Sequence, residues 1–305
     1  MMRRACIDIG HDGRVQFQQL AYFVAVARQR HFTHAADQLG VAQPTLSKQI
    51  RVLENSLGTA LFVRDRSGIE LTSAGEALLP HAERILVDVE TAQRAVHEVA
   101  GLRRGRVRLG ATPSVCDGLL PDVLTYFHAA HPDIELEVRE AGSPLLTRDL
   151  LRGRLDLALL IVPLRPDAGD LETTPVMRER LVLAGPADST LPDEVDVSDL
   201  RDVPLVMFRE GYDLREVTMR TCLQAGFTPH LAVEGGEMSA VLRFVEAGLG
   251  HAVVPEMVLA SRPGLRAIRL RRPSMSRQIA LAHRPGSLQL AALAFRDDLL
   301  TRLAT

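Results

Sequence analysis

The sequence predicts a multidomain α+β chain made of a helical head, one long helix and an α/β region. Three observations support this fold class. Residues 32–51 have the pattern of two short helices joined by a tight turn, and residues 78–99 carry an apolar heptad. From residue 107 onward, short apolar runs alternate with helical stretches, which is typical of an α/β domain. A chain of 305 residues also exceeds the usual size of one domain.

The segment FTHAADQLGVAQPTLSKQIR supplies the two short helices. Thr33 is the predicted N-cap of the first helix, and Gly40 suits the left-handed backbone at its end. Pro44 suits the first turn of the second helix and keeps it separate from the first. Leucine and isoleucine at helical spacing then share one face, so the polar side chains of this helix point away from it. The pattern favours a helix that enters the DNA major groove over an ordinary helical hairpin.

The flanking residues complete a DNA-binding head. Upstream, apolar residues in 17–27 recur at helical spacing and predict the first helix of a three-helix core. Downstream, residues 61–64 and 69–72 alternate like strands around a turn, which predicts a hairpin, or wing. Arg64 and Arg66 lie where a wing would contact phosphates or the minor groove, although a solvated turn is the alternative.

The N-terminal part of the chain resembles a known family. Its motifs FVAVA, FTHAADQLGVAQPTLSKQIRVLENSLGTALFVR and LTSAGEALLP are similar to the winged helix-turn-helix of LysR-type transcriptional regulators. The resemblance covers Phe17 to about Pro80. It implies a regulator that binds promoter DNA, a small-molecule effector and further copies of itself as a homodimer or homotetramer, with RNA polymerase as a further candidate partner. The resemblance places Gln43, Pro44, Thr45, Ser47, Lys48 and Arg51 at DNA-facing positions, with Thr33 and Arg64 as backbone contacts.

Charge and cysteine content agree with this interpretation. Residues 1–110 hold 15 Lys and Arg against 11 Asp and Glu, whereas the remainder holds 21 against 27. A basic head on an acidic remainder suits a protein that touches phosphates at one end. The three cysteines are widely separated, which predicts no disulfide framework and fits a reducing cytoplasm. No apolar run is long enough to cross a bilayer, and the N-terminus lacks a signal sequence.

The predicted domains follow from these patterns. Residues 1–14 are either a disordered extension or a misassigned start, with translation beginning near Val15. Residues 15–72 form the winged helix-turn-helix and residues 73–101 the linker helix. The effector-binding domain spans residues 105–305, and by the resemblance it has two lobes similar to those of periplasmic solute-binding proteins. The first lobe covers about 105–180 and 268–305, and the second about 181–267.

The long helix carries a dimerisation signal. Ser73 and Glu76 have the spacing of a capping box, and Pro80 is expected to kink the helix without ending it. The apolar heptad forms a narrow stripe, which favours pairing with a second copy over packing along its own domain. Two paired reading helices would address pseudo-palindromic half-sites. The predicted seam is formed by Leu78, Ala82, Ile85, Val89, Ala92, Val96 and Val99.

The cleft between the two lobes is the expected effector site, since ligands of α/β domains bind at strand ends and helix N-termini. Thr112 follows the first strand, and Ser143 opens a later helix in the same way. Hydroxyls and helix amides there suit a small organic acid. The candidate effector-binding residues are Thr112, Ser114, Ser143, Val162, Phe208, Glu210 and Glu237.

Three other functions fit the sequence less well. The sequence has no P-loop, nucleophile elbow or metal-binding motif, so no enzyme activity, catalytic residue, cofactor or metal is expected. A thiol-based redox regulator of the same family is an alternative, because Cys116 is near a predicted helix N-terminus that would lower its pKa. A solute-binding protein is a third possibility, opposed by the DNA-binding head and the missing signal sequence.

Overall fold

The computed structural model describes residues 15–65, 68–99, 105–164, 169–286 and 288–303, and these divide into two units. The first unit runs to Ala100 and includes Arg152–Arg154, and the second holds the rest of the chain. Among the described residues, no helix combines the length and apolar character that a bilayer span requires. Residues 1–14, which the sequence leaves as an extension or a misassigned start, lie outside the described residues.

The first unit is a three-helix core followed by a hairpin and a long helix, as the sequence predicts. Apolar side chains from all three short helices and from the hairpin, including Phe23, Ala35 and Leu46, are buried together. The elements are α1 Phe17–Gln29, α2 Phe32–Leu39, α3 Gln43–Leu57, β1 Phe62–Asp65, β2 Gly68–Leu71 and α4 Ser73–Val99.

Two of the predicted helix caps are wrong. His31, not Thr33, caps α2, because the helix begins two residues earlier than a cap at Thr33 would place it, and the His31 ring accepts from the His34 amide at 3.5 Å. Thr72, not Ser73, caps α4, since Thr72 Oγ1 accepts from the Gly75 amide at 3.0 Å and donates to the Ala60 carbonyl at 2.7 Å. The single hydroxyl thereby ties the start of α4 to Ala60, two residues before the hairpin.

The first part of helix α4 packs against the core of its own unit. Ala82 is fully buried, and Leu78 and Ile85 pack against the same core, because α1 lies along this part of α4. These three positions of the predicted seam therefore serve the intramolecular core. Val89 is half-buried and Ala92 is exposed, so the seam beyond residue 85 stays a prediction. The side chains of Val96 and Val99 lie outside the described part of the chain, and Pro80 does not end the helix, as predicted.

The second unit is an α/β domain with three hydrophobic clusters. The first contains Phe127, Leu157 and Phe295, the second contains Leu205 and Leu242, and a smaller one is formed around Leu146 and Leu160. Its elements are β3 Arg106–Ala111, α5 Pro113–Gly118, α6 Leu120–Ala130, β4 Glu135–Glu140, α7 Ser143–Leu151, β5 Leu157–Val162, β6 Glu172–Pro186, β7 Glu194–Val195, β8 Leu205–Phe208, α8 Asp213–Gln224, β9 Leu231–Gly236, α9 Met238–Glu246, β10 Ala252–Pro255, β11 Leu265–Leu270, β12 Ser276–His283 and α10 Leu290–Leu303, with 3-10 turns at Val197–Asp202 and Glu256–Leu259.

The long strand β6 joins the two lobes. Its residues 172–180 pair with β12 in the first lobe, and residues 181–186 pair with β10 and β11 in the second. The chain returns from β11 to β12, so two segments cross between the lobes. The alternation of short apolar runs and helical stretches in the sequence predicts largely parallel sheets, and this is confirmed for β3 with β4 and β5 and for β8 with β9. The prediction is wrong for β6 and β12, since the crossing strands run antiparallel to their neighbours.

Candidate functional site

Helix α3 presents a polar surface on the face opposite its core. Leu46, Ile50 and Leu53 are buried, and this anchors one side of the helix. The six predicted DNA-facing residues lie on the remaining surface, where Gln43 Nε2 donates to Ser47 Oγ at 2.9 Å. Ser47 is half-buried, and the exposed members are Gln43, Pro44, Thr45, Lys48 and Arg51.

The other predicted DNA contacts lie beside α3 in sequence. Thr33 is exposed in the first turn of α2. Arg64 belongs to β1, although its side chain lies outside the described residues, as does the whole of Arg66. The sequence reading missed Glu54, whose carboxylate accepts from the Leu61 and Phe62 amides at 2.9 and 3.4 Å. This contact ties the hairpin to the end of α3.

A cavity of about 1100 Å³ lies between the two lobes of the second unit. The predicted residues Thr112, Ser114, Ser143, Val162 and Glu237 line it. The other two predicted effector residues do not. Phe208 is buried in the second-lobe core, where its ring stacks on Tyr212 at 4.6 Å, and Glu210 is exposed away from the cavity wall.

Three helices of nine or more residues begin at the cavity wall. Ser143 opens α7, Asp213 opens α8 and Met238 opens α9, and all three residues line the cavity. Helix N-termini carry unpaired amides and a partial positive charge. The cavity therefore receives a positive backbone field from both lobes.

The hydroxyl groups at the wall differ in whether they already have partners. Thr112 is 5% exposed, and its Oγ1 has no hydrogen-bond partner among the described residues. Ser143 Oγ accepts from the Ile161 amide at 3.1 Å, which joins α7 to β5. Ser114 Oγ accepts from the Arg277 guanidinium. A buried hydroxyl without a partner costs free energy, so Thr112 is the one of the three poised to bind a ligand.

Arg277 is a buried charged residue at the cavity wall. The sequence did not predict it as a site residue, because it is one arginine among many. Its side chain is 9% exposed and bonds Glu179, which is 2% exposed, as well as Ser114. It also reaches Asp213 Oδ2 at 3.1 Å across the cleft. Burial raises the pKa of Glu179 above its usual range, and the neighbouring Arg277 offsets only part of that rise.

The remaining charged groups at the wall are mixed. Arg209 is paired with Glu237 at 2.8 Å. Burial and the neighbouring Asp117 and Glu237 raise the pKa of Glu140. Arginines outnumber acids at the wall by one, so the lining favours a small anion over a cation. The charged lining residues are Arg148, Arg178, Arg209, Arg220, Arg277, Glu140, Asp213, Glu216 and Glu237.

The described thiols are poor nucleophiles. Burial, with help from Glu140 and Asp117, raises the pKa of Cys116 to about 12, which contradicts the lowered pKa expected from its helix position. Cys222 is buried in α8, and burial raises its pKa too. Cys6 lies outside the described residues. Within the described ranges, no group of three or more His, Cys, Asp or Glu is placed to hold a metal.

Comparisons with known proteins match both units. Residues 17–76 match the model "Bacterial regulatory helix-turn-helix protein, lysR family", and residues 100–304 match "LysR substrate binding domain". The chain is 32% identical over 278 residues to the "Hydrogen peroxide-inducible genes activator" of Dickeya chrysanthemi, covering 90% of each chain. It is 31% identical over 243 residues to the regulator AlsR of Bacillus subtilis (strain 168), covering 79% of this chain and 80% of AlsR.

A solved structure matches over nearly the whole length. Full-length CbnR complexed with its target DNA is 26% identical, with a TM-score of 0.69, and the match covers 95% of this chain and all of CbnR. Further hydrogen peroxide-inducible activators are also similar to this chain.

Proposed function

Because the chain belongs to the LysR family of bacterial transcription regulators, we propose that it binds pseudo-palindromic promoter half-sites through α3 and changes that binding when a small organic anion occupies the cavity. The polar surface of α3, with Lys48 and Arg51 exposed opposite a buried apolar face, supports the DNA-binding part. N-terminal residues of such a helix meet base edges, while cations and hydroxyls hold phosphates.

Pairing through the distal half of α4 is part of the proposal. The helix continues to Val99, well past the residues that pack on α1, and Ala92 is exposed. Two copies joined there would present two reading helices to half-sites about one helical turn apart. Ligand closure of the lobes would alter the spacing between DNA-binding pairs, and thereby DNA bending or access of RNA polymerase. Such control needs different ligand affinities in the two arrangements. Because bacterial promoter DNA is in the cytoplasm, the proposed function implies a cytoplasmic protein.

The unpartnered hydroxyl of Thr112 is the observation that carries the ligand proposal. It lies at the wall of a cavity with three helix N-termini and a surplus of arginine. A carboxylate accepts hydrogen bonds only, so it suits amides, hydroxyls and guanidinium groups together. The ligand class proposed is therefore a small carboxylate.

Replacing Thr112 with valine tests the cavity. Thr112→Val keeps the side-chain volume and removes a hydroxyl that has no partner within the described part of the chain, so the free protein is expected to stay as stable as wild type. A thermal-shift series with acetate, succinate and phenylacetate at constant ionic strength should then show a ligand-induced rise in Tm for wild type and a smaller rise for the variant.

Thr218→Val is the matched control, since its buried hydroxyl donates to the Leu214 carbonyl at 2.7 Å outside the cavity. This control is expected to lower Tm without changing the ligand-induced rise. A rise that is equal in wild type and Thr112→Val would remove Thr112 from the ligand site. No rise with any of the three carboxylates in wild type would count against this ligand class.

Peroxide sensing is the second candidate function, favoured by the names of several relatives. It would need a reactive thiolate, and the raised pKa values of Cys116 and Cys222 oppose one. We expect iodoacetamide to alkylate Cys116 at about pH 8 far more slowly than free cysteine, because only a small thiolate fraction exists well below a pKa of about 12. Mass spectrometry measures the rate.

DNA binding before and after peroxide decides between the two candidates. The anion proposal predicts that DNA retardation is unchanged by hydrogen peroxide, both in wild type and in Cys116→Ser. A peroxide-dependent change that disappears on replacing Cys6, Cys116 or Cys222 would instead support the redox function.

A further inference from the structure

We propose that Asp213 is a built-in competitor of the ligand: its carboxylate pairs with the Arg277 guanidinium at the cavity wall and must be displaced when a ligand carboxylate binds there. The inference rests on the proposed function and names the side chain that sets ligand affinity. Its basis is the different character of the groups around Arg277, together with the position of Asp213 at the cavity wall.

The partners of Arg277 divide into fixed and exchangeable groups. Glu179 is 2% exposed and Ser114 is also buried, so neither can leave without burying an unpaired polar group. Asp213 is 49% exposed and reaches Nη1 of Arg277 at 3.1 Å. Water can replace Arg277 around an exposed carboxylate at little cost, since half-exposed ion pairs contribute little stability. Asp213 is therefore the partner that a ligand can displace.

Charge balance makes the displacement necessary. Arg277 carries one positive charge and faces two carboxyl groups, and the negative charge of Asp213 is among the causes that raise the pKa of Glu179. A third carboxylate entering beside Asp213 would meet net repulsion. A ligand carboxylate can occupy the Nη1 side of Arg277 only if Asp213 turns away toward solvent.

Replacement of Asp213 by a ligand carboxylate would also change a contact between the two lobes. Arg277 is on β12, which pairs with β5 of the first lobe, whereas Asp213 opens α8, which packs with the second-lobe core. Arg277 thus connects Ser114 of the first lobe to Asp213 of the second. A ligand that takes the place of Asp213 removes this direct contact and substitutes its own.

Isothermal titration of the full-length protein with succinate tests the proposal, with the uncharged diamide succinamide as the ligand control. Asp213→Asn keeps the side-chain shape and removes the competing charge, so its Kd for succinate should fall by about threefold to fivefold relative to wild type, the size expected from losing one half-exposed ion pair. Asp213→Glu keeps the charge and should bind no more tightly than wild type. Glu194→Gln removes a half-exposed carboxylate of the second lobe that is paired with Arg269 outside the cavity, and should change the Kd by less than about twofold.

The outcomes separate this proposal from the proposed function. Equal succinate affinity in wild type and Asp213→Asn would overturn the competition and leave anion binding in the cavity intact. Weaker binding by Asp213→Asn would also overturn it, because Asp213 would then help to hold the ligand. A similar gain for succinamide would show that charge is not the cause. Absence of succinate binding in wild type and Asp213→Asn alike would overturn the competition and the carboxylate class together.

Discussion

Arg51→Ala is expected to weaken binding to promoter DNA by about tenfold to hundredfold, the loss of about 1–3 kcal/mol typical of one arginine contact. Arg51 is exposed on α3, one residue after the buried Ile50, so its guanidinium is free of the core and its removal leaves the packing unchanged. Gel retardation with the fragment upstream of the gene, repeated over a range of salt concentrations, measures the effect. If Arg51 contacts a phosphate, the steepness with which log K falls against log salt concentration should decrease by about one in Arg51→Ala.

Arg84→Ala is the matched control, because Arg84 is an exposed arginine of the same unit on α4. Its removal should leave the DNA affinity within about twofold of wild type, since an exposed charge away from the phosphates contributes only through a screened field. If Arg51→Ala and Arg84→Ala weakened DNA binding equally, the assignment of α3 as the DNA-reading helix would be contradicted. An unchanged circular dichroism spectrum shows that the variants remain folded.

Arg277→Gln is expected to destabilise the second unit by about 3 kcal/mol at neutral pH, because it leaves the buried carboxyl of Glu179 without its cation. Circular dichroism in urea follows the loss, since the chain contains no tryptophan. The double variant Glu179→Gln/Arg277→Gln should be more stable than Arg277→Gln alone, because it carries no unpaired buried charge. If the double variant is no more stable than the single one, the buried ion pair is not the cause.

The loss of stability in Arg277→Gln should depend on pH in a defined direction. The folded-state pKa of Glu179 is raised, so the folded protein binds this proton more tightly than the unfolded chain. That contribution to stability is present below the unfolded carboxyl pKa, near 4.5, and is lost as pH rises through the folded pKa. Removing Arg277 raises the folded pKa further. The deficit of Arg277→Gln should therefore be larger at about pH 8 than at about pH 5, and an equal deficit at both pH values would contradict this reasoning.

The local elements could be predicted from sequence because their signals are local. Gly40 and Gly58 end α2 and α3 with φ of 65° and 68°, and Pro44 begins α3, as their residue types require. The caps failed where two candidate hydroxyls or a histidine compete within two residues. Thr72 caps α4 through a hydroxyl that also donates to Ala60, a tertiary contact that the sequence does not display. His31, by contrast, caps α2 through a local contact with the His34 amide, and histidine is not among the preferred N-cap residues.

Long-range contacts explain the other differences. Ala82 has the heptad spacing of a dimer seam, but α1 covers it, and the sequence spacing alone cannot tell a partner helix from a helix of the same unit. Phe208 ends a strand as predicted, yet its side chain points into the core while the following Arg209 lines the cavity. Arg277 and Asp213 are 64 residues apart and meet only because β12 returns beside the start of α8. No local pattern marks such a pair.

Protection of Lys48 by DNA tests the central claim most directly. Lys48 is the only lysine in the chain and is exposed on α3, so amine acetylation reports on this helix alone apart from the N-terminus. If α3 lies in the major groove, promoter DNA should slow acetylation of Lys48 by at least about tenfold relative to a lysine peptide added as an internal standard, as measured by mass spectrometry. An unchanged rate at Lys48 in a complex that is fully bound by gel retardation would contradict the assignment of α3 as the DNA-reading helix.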